Sequence, residues 1–300
     1  MTSPSIPTDG FEIVTTGKWL KSATVKSENF VERDPSADPE HLLAGLRASP
    51  LKADLFAFSQ RPPDSTPRFS YPMVWENFAV LPILGYAEWW EKRLNQDTRR
   101  CVRVAAKRGL VVRPVQFDDE LCRGICAIYN ETPIRQGRSF HHFGKKVDAV
   151  KAENGTFVER SAFVGAYHEA ELVGFLKMVY MGKTASIMQI LSKVGHYDRR
   201  PMNALMAKAV EICNERQMAY LVYRKYHYYK GLADSLTEFK RRNGFEKMDI
   251  PRYYVPLTAK GRLAVSLGLQ LGAGHWIPKQ VVVAARAIRS HLNRRKGAPE

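Results

Sequence analysis

The chain has 300 residues, 45% hydrophobic, 11% aromatic and 25% charged, which is enough apolar material for one large domain or two modest ones and argues against wholesale disorder. No run approaches the roughly 18 apolar residues of a membrane-crossing helix, and MTSPSIPTDGFEIV has no basic start followed by an apolar core, so the sequence predicts a cytoplasmic protein without a signal peptide. The net charge of +16 is uneven, with ten basic and twelve acidic residues in 1–95 against twenty and eight in 196–300, a field that favours an anionic partner such as a nucleotide, a phosphorylated precursor, RNA or an anionic membrane face.

In chain order, DLFAFSQ and MVWENFAVLPI read as extended segments on either side of the turn-rich RPPDSTPRFSYP. From AEWWEKRLNQDTRRCVRVAAKRGL the pattern is helical and then basic, with Gly109 as a stop before the strand VVRPV. DDELCRGICAIYN is a helix whose acids suit its positive start and whose Leu121, Ile125, Ile128 and Tyr129 form one stripe. The polar loop ETPIRQGRSFHHFGKK follows, and then SAFVGAY, ELVGFLKMVY and TASIMQILSKV, separated by breaks short enough for hairpins: an antiparallel meander of three strands.

Pro201 fits a first helical position in HYDRRPMNALMAKAVEICNERQ, where Met202, Leu205, Met206 and Ala209 make an apolar stripe. After the strand AYLVYRK, the segment SLTEFKRRNGF reads as a short helix with Ser235 and Glu238 as a capping box and Gly244 as a left-handed stop. The strand RYYVPL closes this region, and residues 259–300 form a basic tail with apolar runs. That tail reads as an amphipathic helix that either lies on an anionic membrane surface or docks on the domain.

Several residue groups carry chemistry. Arg199 and Arg200 precede a helix start and suit a phosphate, while Asp198 suits a cap. Lys240, Arg241 and Arg242 either complement a helix dipole or edge a site. Tyr229 follows a strand and either packs or relays a proton, and Arg135 lies in a long polar loop of the kind that carries binding groups. Cys101, Cys122, Cys126 and Cys213 form no CxxC pair and have no zinc-finger partners, so no metal is expected. GxSxG, GxxxxGK[ST] and HExxH are absent.

The order strand, helix, three-strand meander, helix, strand, helix, strand resembles the GNAT acyltransferase superfamily. FKRRNGF, TRRCVRVAAKRGLVVRPV and YNETPIRQGRSFHHFGK resemble its Fem-type branch, the peptidyl and acyl transferases of cell-wall bridge synthesis. The resemblance covers about residues 96–258 and implies an α+β fold with a mixed, mostly antiparallel sheet flanked by helices. It leaves an N-terminal α/β extension at 1–95 and a helical tail at 259–300. It implies an N-acyltransferase acting in cell-envelope or surface-polysaccharide synthesis. The donor would be an acyl-CoA such as acetyl-CoA, or an aminoacyl-tRNA; the acceptor would be an amine on an amino sugar or lipid-linked saccharide.

By the same resemblance, Arg199 and Ala204 fit the ends of the superfamily's phosphate motif, with Met202 at its central glycine. Arg200 and Asn203 join them as donor-binding residues, Lys240 stands at the leaving-group side with Tyr229, and Arg135 contacts substrate. Two other readings stay open: a nucleic-acid-binding protein using the aromatic and basic stretch YLVYRKYHYYKG, and an inactive scaffold of the same fold at the membrane surface.

Overall fold

The computed structural model of the protein describes residues 5–8, 10–228, 235–272 and 280. Its elements are β1 (Ser5–Thr8), β2 (Phe11–Thr16), β3 (Ser22–Val25), α1 (Pro39–Ala48), β4 (Leu55–Ser59), β5 (Met73–Pro82), α2 (Tyr86–Glu88), a π-helical turn (Trp89–Arg93), α3 (Gln96–Lys107), β6 (Val111–Val115) and α4 (Asp119–Asn130). There follow β7 (Ile134–Arg135), β8 (Arg138–Ser139), α5 (Val147–Asn154), β9 (Ser161–His168), β10 (Glu171–Met181), β11 (Thr184–Ser192), α6 (Pro201–Glu215), β12 (Tyr220–Lys225), α7 (Ser235–Arg242), β13 (Glu246–Pro256) and α8 (Ala259–Ser266).

Two compact units interleave along the chain. The first comprises the described residues of Met1–Ala79, Arg224–His227 and Lys247–Pro278; the second comprises those of Val80–Tyr223, Tyr228–Glu246 and Lys279–Glu300. The linear divisions expected at 95 and 258 therefore do not coincide with the compact units. Both units are α+β, with mostly antiparallel strands and flanking helices; the resemblance implied such a sheet for the later part of the chain, whereas the N-terminal part, expected as an α/β extension, has one parallel pair among antiparallel ones.

In the first unit the strand order is β1-β2-β3-β4-β13, antiparallel except for β3 with β4. All five residues of β4 are buried. α1 begins where Asp38 accepts the His41 N–H at 3.1 Å, and it buries Leu42, Leu43 and Leu46 against Phe56, Phe58 and Tyr253. A charged cluster is also enclosed here. Arg252 Nη1 lies 3.1 Å from Glu28 Oε2 and 3.6 Å from Glu76 Oε2 and donates to Ser59 Oγ at 2.9 Å. Glu28 Oε1 accepts the Ser59 N–H at 2.6 Å. Burial pushes the Glu28 carboxyl above its usual range, a push that the Arg252 guanidinium opposes.

In the second unit the order is β12-β11-β10-β9-β6, antiparallel except for β11 with β12. α4 packs on β10, with Leu121, Ile125, Ile128 and Tyr129 forming a core with Phe163 and Phe175. α6 packs on the other face, its Cys213 Sγ 4.0 Å from Met178 Sδ. The helix expected from residue 87 is broken: Leu94 is extended at ψ 127, and Asn95 starts a new helix by accepting the Asp97 N–H at 2.9 Å.

Candidate functional site

The meander creates an opening. β11 pairs in parallel with β12 only at Thr184–Ser186 against Tyr220–Val222, although β11 continues to Ser192. Its register against β10 also shifts, Lys177 facing Gln189 and Met178 facing Ile187, so Met188 is an extra residue that bends β11. Beyond the last paired residues lies a cavity of about 450 Å³ in the second unit. Ile190, Leu191 and Ser192 of β11 form one side and Tyr223 of β12 another. Arg200 to Asn203 at the start of α6 and Ser235, Leu236 and Phe239 of α7 close it.

The charged residues of this lining, among the described residues, are Arg135 and Arg200, both cationic. Arg200 precedes α6 in a left-handed conformation, φ 58, without a side-chain cap on the helix. Asp198, expected as that cap, instead accepts from Arg108 at 2.9 Å and from Arg199 at 3.3 Å. Arg199 is absent from the cavity lining, while Asn203 is part of it. Ala204 is buried. Pro201 lacks an N–H, and the N–H groups of Asn203 and Ala204 donate to the Arg200 carbonyl at 3.2 and 3.3 Å. Few backbone donors thus remain for a pyrophosphate, and the Met202 side chain lines the cavity where the superfamily motif has glycine.

Arg135 lines the cavity but is braced. Its guanidinium donates to the carbonyls of Ser192 at 2.7 Å and Ile128 at 2.6 Å, meets Glu131 at 3.3 Å, and lies 4.4 Å over the Phe140 ring. Glu131 in turn accepts the N–H groups of Val194 and Gly195 at 2.6 and 2.8 Å, which fixes the 3-10 turn leading to Arg200. Arg135 therefore shapes the cavity as well as facing it.

Lys240 is fully buried, 0% exposed, with Nζ 4.5 Å from the Tyr223 ring centroid and 4.9 Å from that of Tyr228. It is not among the lining residues of the cavity, but it shares α7 with Leu236 and Phe239, which are, and its Nζ lies over the ring of Tyr223, which is another. Its neighbours Arg241 and Arg242 are exposed and pair with Glu238 at 2.8 and 2.6 Å. The capping box is therefore not formed as expected: Glu238 serves those arginines, and Ser235 Oγ donates to Gln136 at 3.1 Å. Gly244 does supply the left-handed stop, at φ 83, and Phe245 is buried beside it. Tyr229 and most of the expected tail, 273–279 and 281–300, lie outside the described residues. Gln136, Phe140 and Tyr223 were not singled out in the sequence; a strand tyrosine signals nothing until the splay places it at an opening.

A polar group lies behind Phe140. His142 stacks on Tyr129 at 4.1 Å, and the Gln189 amide bridges Tyr129 Oη at 2.7 Å and His142 Nε2 at 3.1 Å. Burial, the neighbouring His141 and the Lys145 ammonium push His142 down to about 4 from an ordinary 6.5. Because the folded value is the lower one, the unfolded chain binds this proton first, and the stabilisation present above pH 6.5 is lost as pH falls towards about 4. Urea midpoints are expected to decline over that window, with a shallower decline in His142→Gln.

No helix among the described residues is long and apolar enough to cross a membrane, and no cluster of three or more His, Cys, Asp or Glu suited to a metal occurs among them. No family model and no curated protein matches the sequence. Solved structures do match in shape. The C-terminal domain (DUF2156) of a putative lysylphosphatidylglycerol synthetase from Agrobacterium fabrum is 12% identical, covering 88% of this chain and 87% of that chain at a TM-score of 0.57. L-PGS from Bacillus licheniformis is 15% identical, covering 86% of both at 0.57. FemX is 11% identical, covering 82% of this chain and 86% of its own at 0.54. At such identities the likeness is one of fold: the chain shares the fold of FemX and of these two synthetase structures.

Proposed function

We propose that the protein is an acyltransferase that moves an aminoacyl group from an ester donor, aminoacyl-tRNA, to an amine acceptor in the synthesis of cell-envelope material. The observation that carries this reading is the cavity at the strand splay, whose charged lining residues, among the described residues, are both cations, with a buried ammonium over the ring of Tyr223 in its lining. The fold shared with FemX and with a putative synthetase of lysylphosphatidylglycerol supports it.

In the reaction the amine lone pair attacks the ester carbonyl carbon, giving a tetrahedral oxyanion. Collapse breaks the ester C–O bond, the departing ribose oxygen gains a proton, and the attacking nitrogen loses one. Arg200 binds donor phosphate as a charge-assisted partner. Lys240, held in a dry setting between rings, supplies a fixed positive potential to the developing oxyanion. Arg135 positions the rim through Glu131 and the Ser192 carbonyl.

Acetyl-CoA is the second reading, favoured by the splay itself and by the seat at the start of α6. Pro201, Met202 and the engaged N–H groups weigh against it. Transfer from charged tRNA and from acetyl-CoA to amine acceptors, with binding measured at two salt concentrations, tests both. Arg200→Ala is expected to raise the Kd for charged tRNA about ten-fold, equivalent to one lost charge-assisted bond. Binding to neither donor would overturn the proposal.

A further inference from the structure

The loop Gly17–Lys21 between β2 and β3 turns tightly: Gly17 has φ 94, and a Cβ there would lie 2.1 Å from the Leu20 carbonyl oxygen. It holds Trp19 out in solvent, 64% exposed, between the exposed Lys18 and Lys21. Lys260 of α8 donates to the Trp19 carbonyl and places its Nζ 4.8 Å from the indole. α8 therefore lies against this loop.

The outer face of α8 is unusual for a water-facing helix. Gly261 and Ala264 are buried, and Gly261 is required because a Cβ would meet the Asp54 carbonyl oxygen at 2.0 Å. Leu263 is 60% and Leu267 53% exposed, four residues apart and hence on one face, with Leu263 one turn beyond Lys260. Arg262 beside them is exposed. Under the loop a concavity of about 520 Å³ includes Lys18, Lys21, Arg47, Lys52 and Lys260 in its lining. Asp54, the single acid of that lining, is already engaged by the Lys21 N–H at 2.9 Å, Thr258 Oγ1 at 3.0 Å and Lys260 at 3.4 Å.

We propose that the Gly17–Lys21 loop and the outer face of α8 dock on an anionic lipid membrane. Trp19, Leu263 and Leu267 enter the boundary between headgroups and acyl chains, and Lys18, Lys21 and Lys52 meet lipid phosphates. The mixture of side chains selects this occupant. A tryptophan flanked by lysines suits the interface, cations favour anionic leaflets, and exposed leucines find in hydrocarbon what a nucleic acid does not offer, since stacking on bases needs aromatic faces. The surface lies wholly in the first unit and uses none of the cavity residues.

The test is co-sedimentation of the full chain with vesicles of phosphatidylcholine alone and of phosphatidylcholine with phosphatidylglycerol. Binding is expected only to the second, weakening with salt. The pair Trp19→Ser and Leu263→Ser should reduce partition about ten-fold or more, and each of Lys18→Ala and Lys52→Ala about five-fold. Phosphatidylglycerol with brominated acyl chains should quench the fluorescence of the unaltered protein more than that of Trp19→Phe, a readout that survives any folding defect of the serine variants. Unchanged partition in the Trp19 and Leu263 variants would overturn the proposal. So would an equal loss of affinity for a single-stranded oligonucleotide without lipid, or equal binding to phosphatidylcholine alone.

Discussion

Lys240→Met is expected to lower kcat/KM for aminoacyl transfer by about 10²- to 10³-fold, the range for removing one preorganised group that stabilises an oxyanion. Methionine nearly matches the lysine stem, so the packing against Tyr223 and Tyr228 is kept while the ammonium and its polar interactions are removed. Removing one member of a buried polar interaction also destabilises, so the melting temperature is expected to fall, and the rate is compared at a temperature where both proteins are folded. Lys240→Arg is not expected to rescue, because a planar guanidinium does not fill the place of a compact ammonium between two rings. Single-turnover transfer from charged tRNA, with thermal melts of the same samples, separates the two effects. A normal rate in Lys240→Met would make the lysine a packing element.

Arg252→Ala is expected to destabilise the protein by about 3–5 kcal/mol, because it leaves Glu28 buried without its counter-charge. The arginine meets Glu28 at 3.1 Å, Glu76 at 3.6 Å and the Ser59 hydroxyl at 2.9 Å. One substitution thus orphans several groups at once. Joining Glu28→Gln to Arg252→Met should recover much of the loss, since the pair is then replaced rather than broken. Urea denaturation of the single and double variants measures this, and a loss below about 1 kcal/mol in Arg252→Ala would show that water reaches the cluster.

The elements most legible in the sequence are those whose signals are local. Short breaks between apolar runs mark the meander β9, β10 and β11, the stripe of α6 follows Pro201, and Gly244 ends α7. Local signals mislead where distant groups compete for the same side chain: Asp198 looks like a helix cap until Arg108, ninety residues away, takes it. Lys177 breaks the alternation expected of a strand, yet it is buried because the carbonyls of Asn154 and Thr156 accept from it at 2.7 and 2.5 Å. Arg135 was legible as a cavity residue but not as a brace, since its acceptors are backbone carbonyls that no sequence pattern marks. The splay is a property of strand pairing. It arises where β11 outruns its pairing with β12, and no residue announces that.

The pairing of β4 with β13 sets a timetable for synthesis. Ser59 and Arg252 face one another across it, 193 residues apart along the chain. At about 5–20 residues per second a ribosome needs roughly 10–40 s to make that interval. Throughout it β4, every residue of which is buried in the finished fold, waits without β13, while the meander, whose contacts are nearer in sequence, has all its strands once Ser192 is made. The sheet of the first unit is therefore begun before that of the second and closed after it, and a chain stalled between the two strands exposes Phe56 and Phe58 to whatever else in the cell binds bare strand edges.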